Sequence, residues 1–80
     1  MARQKTFGTL LRRARQAKDW RQPELARRAG ISRKYLGLLE TDRRRPSLPT
    51  FAALVDVLAP TARELRRWLR LAAQPPSETS

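Results

Sequence analysis

The chain has 80 residues, enough for one domain around one small core, and dimerisation would help so small a core. Its 18 basic and 7 acidic residues leave a net charge of +11, which points to a polyanionic partner, with nucleic acid first. There is no cysteine and no histidine, which excludes disulfides and the usual zinc ligands and leaves any catalysis to carboxylates, Lys, Ser or Tyr.

Residues 1–6 are polar and basic and read as a flexible arm. From Phe7, the apolar positions Phe7, Leu10, Leu11, Ala14 and Ala17 form one helical face, with Arg12, Arg13, Arg15 and Lys18 mostly off it. Asp19 stands at the end of this helix, and Asp tolerates the left-handed conformation better than most residues.

A second helix is expected from Gln22, with Leu25, Ala26 and Ala29 as its apolar side. Trp20 precedes it and can staple onto Leu25. Arg21 falls at the capping position, where Ser or Thr would serve better. Pro23 in the first turn loses no internal hydrogen bond, and Glu24 there favours the helix dipole. Gly30 suits the residue just past the helix end, because it adopts positive φ at no steric cost.

Ser32 can cap a third helix through its hydroxyl, and Ile31 and Leu36 occupy the positions of a hydrophobic staple. Leu36 and Leu39 then face inward and Arg33, Lys34, Gly37 and Leu38 face outward. Two short helices joined by such a turn form a helix–turn–helix, whose outward face reads DNA.

Residues 41–47 form a loop containing Arg43, Arg44 and Arg45. Ser47 is the expected cap of a fourth helix, whose apolar side is Leu48, Phe51, Ala52, Val55 and Leu58. Pro60 breaks the chain. Thr61 and Glu64 make a capping box for a fifth helix. Leu65, Trp68, Leu69 and Ala72 give that helix an apolar side, and Arg63, Arg66, Arg67 and Arg70 a basic one. Residues 74–80, Gln-Pro-Pro-Ser-Glu-Thr-Ser, read as a disordered tail.

Arg15, Gln22, Leu25-Ala26, Gly30-Ile31-Ser32, Tyr35-Leu36, Leu39-Glu40 and Arg45-Pro46-Ser47 form a distributed pattern over residues 7–58. The pattern resembles the helix–turn–helix domain of the lambda and Cro repressor type, the XRE family. The resemblance implies an all-α, compact five-helix, lambda-repressor-like fold over residues 7–73. It implies residues 32–40 in the major groove, with Ser32, Arg33, Lys34, Tyr35, Gly37 and Leu38 at the interface. Arg33 and Lys34 read bases, since Arg can bond guanine O6 and N7 together. Leu38 either packs on a thymine methyl or is an ordinary surface residue, and Gly37 either admits the DNA backbone closely or does nothing. The Tyr35 hydroxyl reaches a phosphate or stays in water. Gln22 holds a phosphate at the second helix's N-terminus. Arg43, Arg44 and Arg45 lie along the DNA backbone or in a narrow minor groove. Asp42 stands where this family commonly has Gly, which leaves the shape of the turn open. Arg15 and Glu40 match the family's interior ion pair.

The function implied is a sequence-specific regulator of transcription that binds double-stranded DNA, as a homodimer on an inverted repeat, and represses. A DNA-binding antitoxin, or a non-specific DNA anchor that recruits a protein partner (a toxin or another regulator), is the alternative. Trp68 and Leu69 are the expected oligomer contacts, unless Trp68 closes the monomer's own core. No apolar run approaches the ~20 residues that span a membrane, and the start carries no apolar h-region, so a soluble, cytoplasmic protein is expected. No enzyme activity, no metal site and no cofactor are expected.

Overall fold

In the computed structural model, residues 6–73 are described. They form α1 (Phe7–Ala17), α2 (Gln22–Ala29), α3 (Arg33–Glu40), α4 (Leu48–Leu58) and α5 (Ala62–Ala72), with no strand among the described residues. The expected all-α, five-helix fold is therefore present. Residues 1–5 of the expected arm, and the expected tail at 74–80, lie outside the described residues. Thr6, assigned to the arm from sequence, belongs to the fold: its hydroxyl caps α1 by accepting from the Thr9 N–H.

Local chemistry sets each boundary. Ser32, Ser47 and Thr61 cap α3, α4 and α5 through their hydroxyls, and Thr61 and Glu64 complete a capping box. Arg21 makes no side-chain cap, so α2 starts on Pro23 and Glu24 alone. Asp19 ends α1 in the left-handed region at φ 61°, as its residue type allows.

Leu11, Leu25, Leu36, Leu39 and Leu54 are completely enclosed. Each contributes about 1.5–3 kcal/mol relative to exposure. Phe7 joins them to the outer helices. Its ring lies 5.8 Å from Phe51 and 6.0 Å from Trp68, the latter edge-on at 82°. Trp68 is only 4% exposed, so it closes the monomer's core and is not available as an oligomer contact.

Two apolar faces differ from the sequence reading. On α4 the buried side is Thr50, Phe51, Leu54 and Leu58, while Leu48 is 78% exposed and Ala52 is exposed. Leu48 sits in the first turn, before the helix reaches the core, and Thr50 is drawn in because its N–H and hydroxyl both bond Ser47 Oγ. On α5, Leu65, Leu71 and Ala72 pack with Trp68, and Leu69 is turned out, 51% exposed.

Candidate nucleic-acid interface

The α2–α3 turn is fixed by backbone geometry. Gly30 adopts φ 73°, its N–H donates to the Arg27 carbonyl at 3.2 Å, and the Ile31 N–H donates to the Ala26 carbonyl at 2.9 Å. This pairing closes α2 and redirects the chain within two residues. Ser32 Oγ then accepts from the Tyr35 N–H at 3.0 Å. Ile31 packs against the core cluster that contains Leu36.

With Leu36 and Leu39 completely buried, helical periodicity decides the rest of α3. Ser32, Arg33 and Lys34 are exposed, and Tyr35, Gly37 and Leu38 are half-exposed on the same helix. Among the described residues no side chain forms an ion pair with the two cations at the helix start, where they oppose the helix dipole; the first turn of α3 contains no acid. A Cβ built on Gly37 would meet nothing within 4 Å, so this patch is open space.

Behind α3, a buried ion pair holds the helix to α1. Arg15 Nε donates to Glu40 Oε2 at 2.7 Å and Nη2 to Glu40 Oε1 at 3.0 Å. Arg15 Nη1 donates to the Trp20 carbonyl at 2.9 Å, which ties in the turn before α2. Gln22 Nε2 donates to Glu40 Oε1 at 3.0 Å. Gln22 is thus anchored from inside, at the point where α2 begins. Its amide retains a second hydrogen for an outside acceptor.

The loop after α3 is set by Asp42. Its φ is 61°, the Asp42 N–H donates to the Leu39 carbonyl and the Arg43 N–H to the Leu38 carbonyl at 2.9 Å. Asp42 therefore does what Gly does in such a turn, and it adds a carboxylate. Oδ1 accepts from the Gly8 N–H at 3.0 Å and Oδ2 from the Thr6 hydroxyl at 2.7 Å. That acid favours the positive end of α1 and locks the loop to it. Arg43, Arg44 and Arg45 follow at once, all exposed. The single contact of Arg45 within this group is long: Nη1 lies 3.5 Å from the Ala73 carbonyl, at the outer limit of a hydrogen bond.

Arg21, expected from the sequence to be a poor cap, makes no side-chain cap and is exposed beside Gln22. One feature escapes a reading of the sequence. Trp20 carries the Arg28 guanidinium 4.4 Å from its ring centroid, and Arg28 also bonds Glu24 at 2.6 Å. Arg27 bonds the same Glu24 oxygen at 2.7 Å, and these two arginines, Arg27 first, hold the Glu24 carboxyl below its usual range. On the outer face of α2 one carboxylate thus offsets part of the charge of two arginines, in contrast to the start of α3, whose first turn contains no acid. Among the described residues no group of acids could hold a metal ion. No described helix is long and apolar enough to cross a membrane.

Two short helices at a capped tight turn, the second presenting an open cationic face, define a helix–turn–helix DNA-binding protein. Residues 6–69 match the family described as a helix-turn-helix domain, and the chain belongs to that family, as a DNA-binding regulator of the XRE type. The chain is also similar to the restriction-modification controller protein C.AhdI from Aeromonas hydrophila, known from a crystal structure. The two are 39% identical over 74% of this chain and 89% of that one, with a TM-score of 0.68. No curated protein matches the chain.

Proposed function

We propose that this protein is a dimeric controller that recognises an inverted repeat in duplex DNA and represses transcription there. Arg33 and Lys34 read base edges from the start of α3, with Leu38 against a thymine methyl. Ser32, Tyr35 and the open surface at Gly37 let the helix sit close in the major groove. Gln22 and Arg21 hold phosphate at the start of α2, and Arg43, Arg44 and Arg45 hold it beyond α3. The observation that carries this reading is the pairing of an enclosed inner face, Leu36 and Leu39, with an exposed cationic start that has no acid in its first turn, on the same eight-residue helix. The likeness to a restriction-modification controller favours that role over a phage-type repressor or an antitoxin.

For the dimer, Leu69 and Leu48 are the large apolar residues left exposed, and they replace Trp68 as the contacts. Two-fold pairing places the half-sites about 34–36 Å apart. Three loop arginines per protomer give about six phosphate contacts per dimer, so affinity falls roughly a thousandfold between 50 and 200 mM salt.

Selection from a random duplex library at two salt concentrations tests this. Enrichment of an inverted repeat supports the reading. Salt-sensitive retention with no enriched sequence sinks it, and leaves a charge-driven anchor whose role lies in a protein partner.

A further inference from the structure

Away from α3, a groove of about 450 Å³ runs between α1 and α5. Its accessible apolar surface is the half-buried Leu10 and Ala14 of α1, backed by Leu58 of α4 and Trp68 of α5, which are buried in the core. Its rim is cationic, with Arg13 and Lys18 on one side and Arg67 on the other, all exposed. Glu64 is the acid among the lining residues, and its Oε1 is turned back to accept the Thr61 N–H at 2.8 Å. One of its oxygens is thus engaged at its own helix end, and its single negative charge stands against the three cations of the rim.

The groove is separate from both surfaces proposed above. Arg67 and Trp68 line it, and Leu69 lies 100° further round α5, so Leu69 projects from the edge of the helix that faces away from α1. The volume falls in the range of sites that accept a ligand or an anchoring side chain.

We infer that the α1–α5 groove docks an acidic amphipathic helix of a protein partner, its apolar residues on Leu10 and Ala14 and its carboxylates on Arg13, Lys18 and Arg67. Charge complementarity selects this occupant. A second copy of the chain, itself at +11, brings cations to a cationic rim. A DNA backbone satisfies the rim and leaves the apolar floor unused. An amphipathic helix with acids flanking an apolar stripe satisfies both. Guanidinium forks at the two sides suit carboxylates in pairs. Bound there, the partner is carried to DNA without occluding α3.

The test uses the full chain, isotope-labelled, and a synthetic probe: a roughly 16-residue helical peptide with leucines at i, i+3 and i+7 and flanking glutamates. A second peptide replaces the leucines with serines at unchanged charge, and a single-stranded oligonucleotide supplies a polyanion with no apolar stripe. The leucine peptide is expected to shift the amide signals of Leu10 and Ala14 saturably. The serine peptide is expected to bind at least about tenfold more weakly, and an R13E/R67E variant about tenfold more weakly again. Both substituted positions are exposed, and a thermal melt establishes that the variant folds; mapping on the unaltered chain stands in either case. Equal binding of the two peptides overturns the inference, because the floor then contributes nothing. So does an oligonucleotide that shifts the same residues as strongly, which makes the face a nucleic-acid contact. No saturable shift below about 1 mM overturns it as well.

Discussion

Replacing Arg15 by Met tests how α3 is held against α1. The substitution keeps the aliphatic length and removes the guanidinium, deleting both bonds to Glu40 and the bond to the Trp20 carbonyl. The Glu40 side chain is 1% exposed, so its carboxylate is left buried with the Gln22 amide alone. Stranding one partner of a buried pair costs about 3–5 kcal/mol. A folded chain of this size has roughly 4–12 kcal/mol in hand. The variant therefore loses a large share of its stability. In urea, with m about 1–1.5 kcal/mol/M for a small domain, the midpoint read by far-UV circular dichroism falls by roughly 2–5 M. Pairing Arg15→Met with Glu40→Leu removes both charges and is expected to recover most of the loss, because the desolvation cost disappears with the pair. A loss below about 1 kcal/mol in the single variant would refute the reasoning, since that is the worth of a solvent-exposed pair.

Two glycines separate by sign. A Cβ at Gly8 meets the Leu39 and Glu40 carbonyl oxygens at 2.6 and 2.7 Å and Asp42 Oδ1 at 2.8 Å, so Gly8→Ala destabilises by about 1–3 kcal/mol in the same urea assay. Gly37→Ala meets nothing and gains helix propensity, so it stabilises by about 0.8–1 kcal/mol, while binding to a selected duplex weakens because the added methyl stands on the proposed DNA face. Glu24, whose carboxyl is held below its usual range by Arg27 and Arg28, contributes stability above its unfolded value near about pH 4.3 and loses it as pH falls through the lower native value. Melting temperature against pH is therefore expected to fall less steeply on acidification for Glu24→Gln than for the unaltered chain; parallel curves would contradict the ion-pair network.

What the sequence makes legible is mostly local chemistry. Gly30, Ser32 and Thr61 announce their turns and caps because the requirement is met by the residue itself. Leu25, Leu36 and Leu39 announce the core because helical spacing leaves them no other face. The Arg15–Glu40 pair is 25 residues apart and is visible through family resemblance rather than spacing. The misreadings are tertiary. Leu48 fits a helical apolar stripe, yet that first turn overhangs the core; Leu69 fits one on α5, yet Leu71 takes the inner place. Asp42 looks like a substitute for glycine. Its second role, accepting from Thr6 and Gly8, depends on where α1 comes to rest. At the proposed DNA face the outward residues of α3 follow from periodicity, but what each one contacts depends on the chemistry of the partner.

In the proposed function the start of α3 reads sequence while the loop after it holds backbone. This is tested most directly by measuring affinities of Arg33→Ala and Arg44→Ala for the selected duplex and for each of its single base-pair changes. The account predicts that Arg33→Ala loses about 1–3 kcal/mol of discrimination at one base pair per half-site and keeps it elsewhere. It predicts that Arg44→Ala weakens every duplex alike and makes the salt slope shallower by about one per contact removed. If Arg33→Ala instead weakens all duplexes equally, with no position losing its preference, α3 is not the reading element and the claim fails.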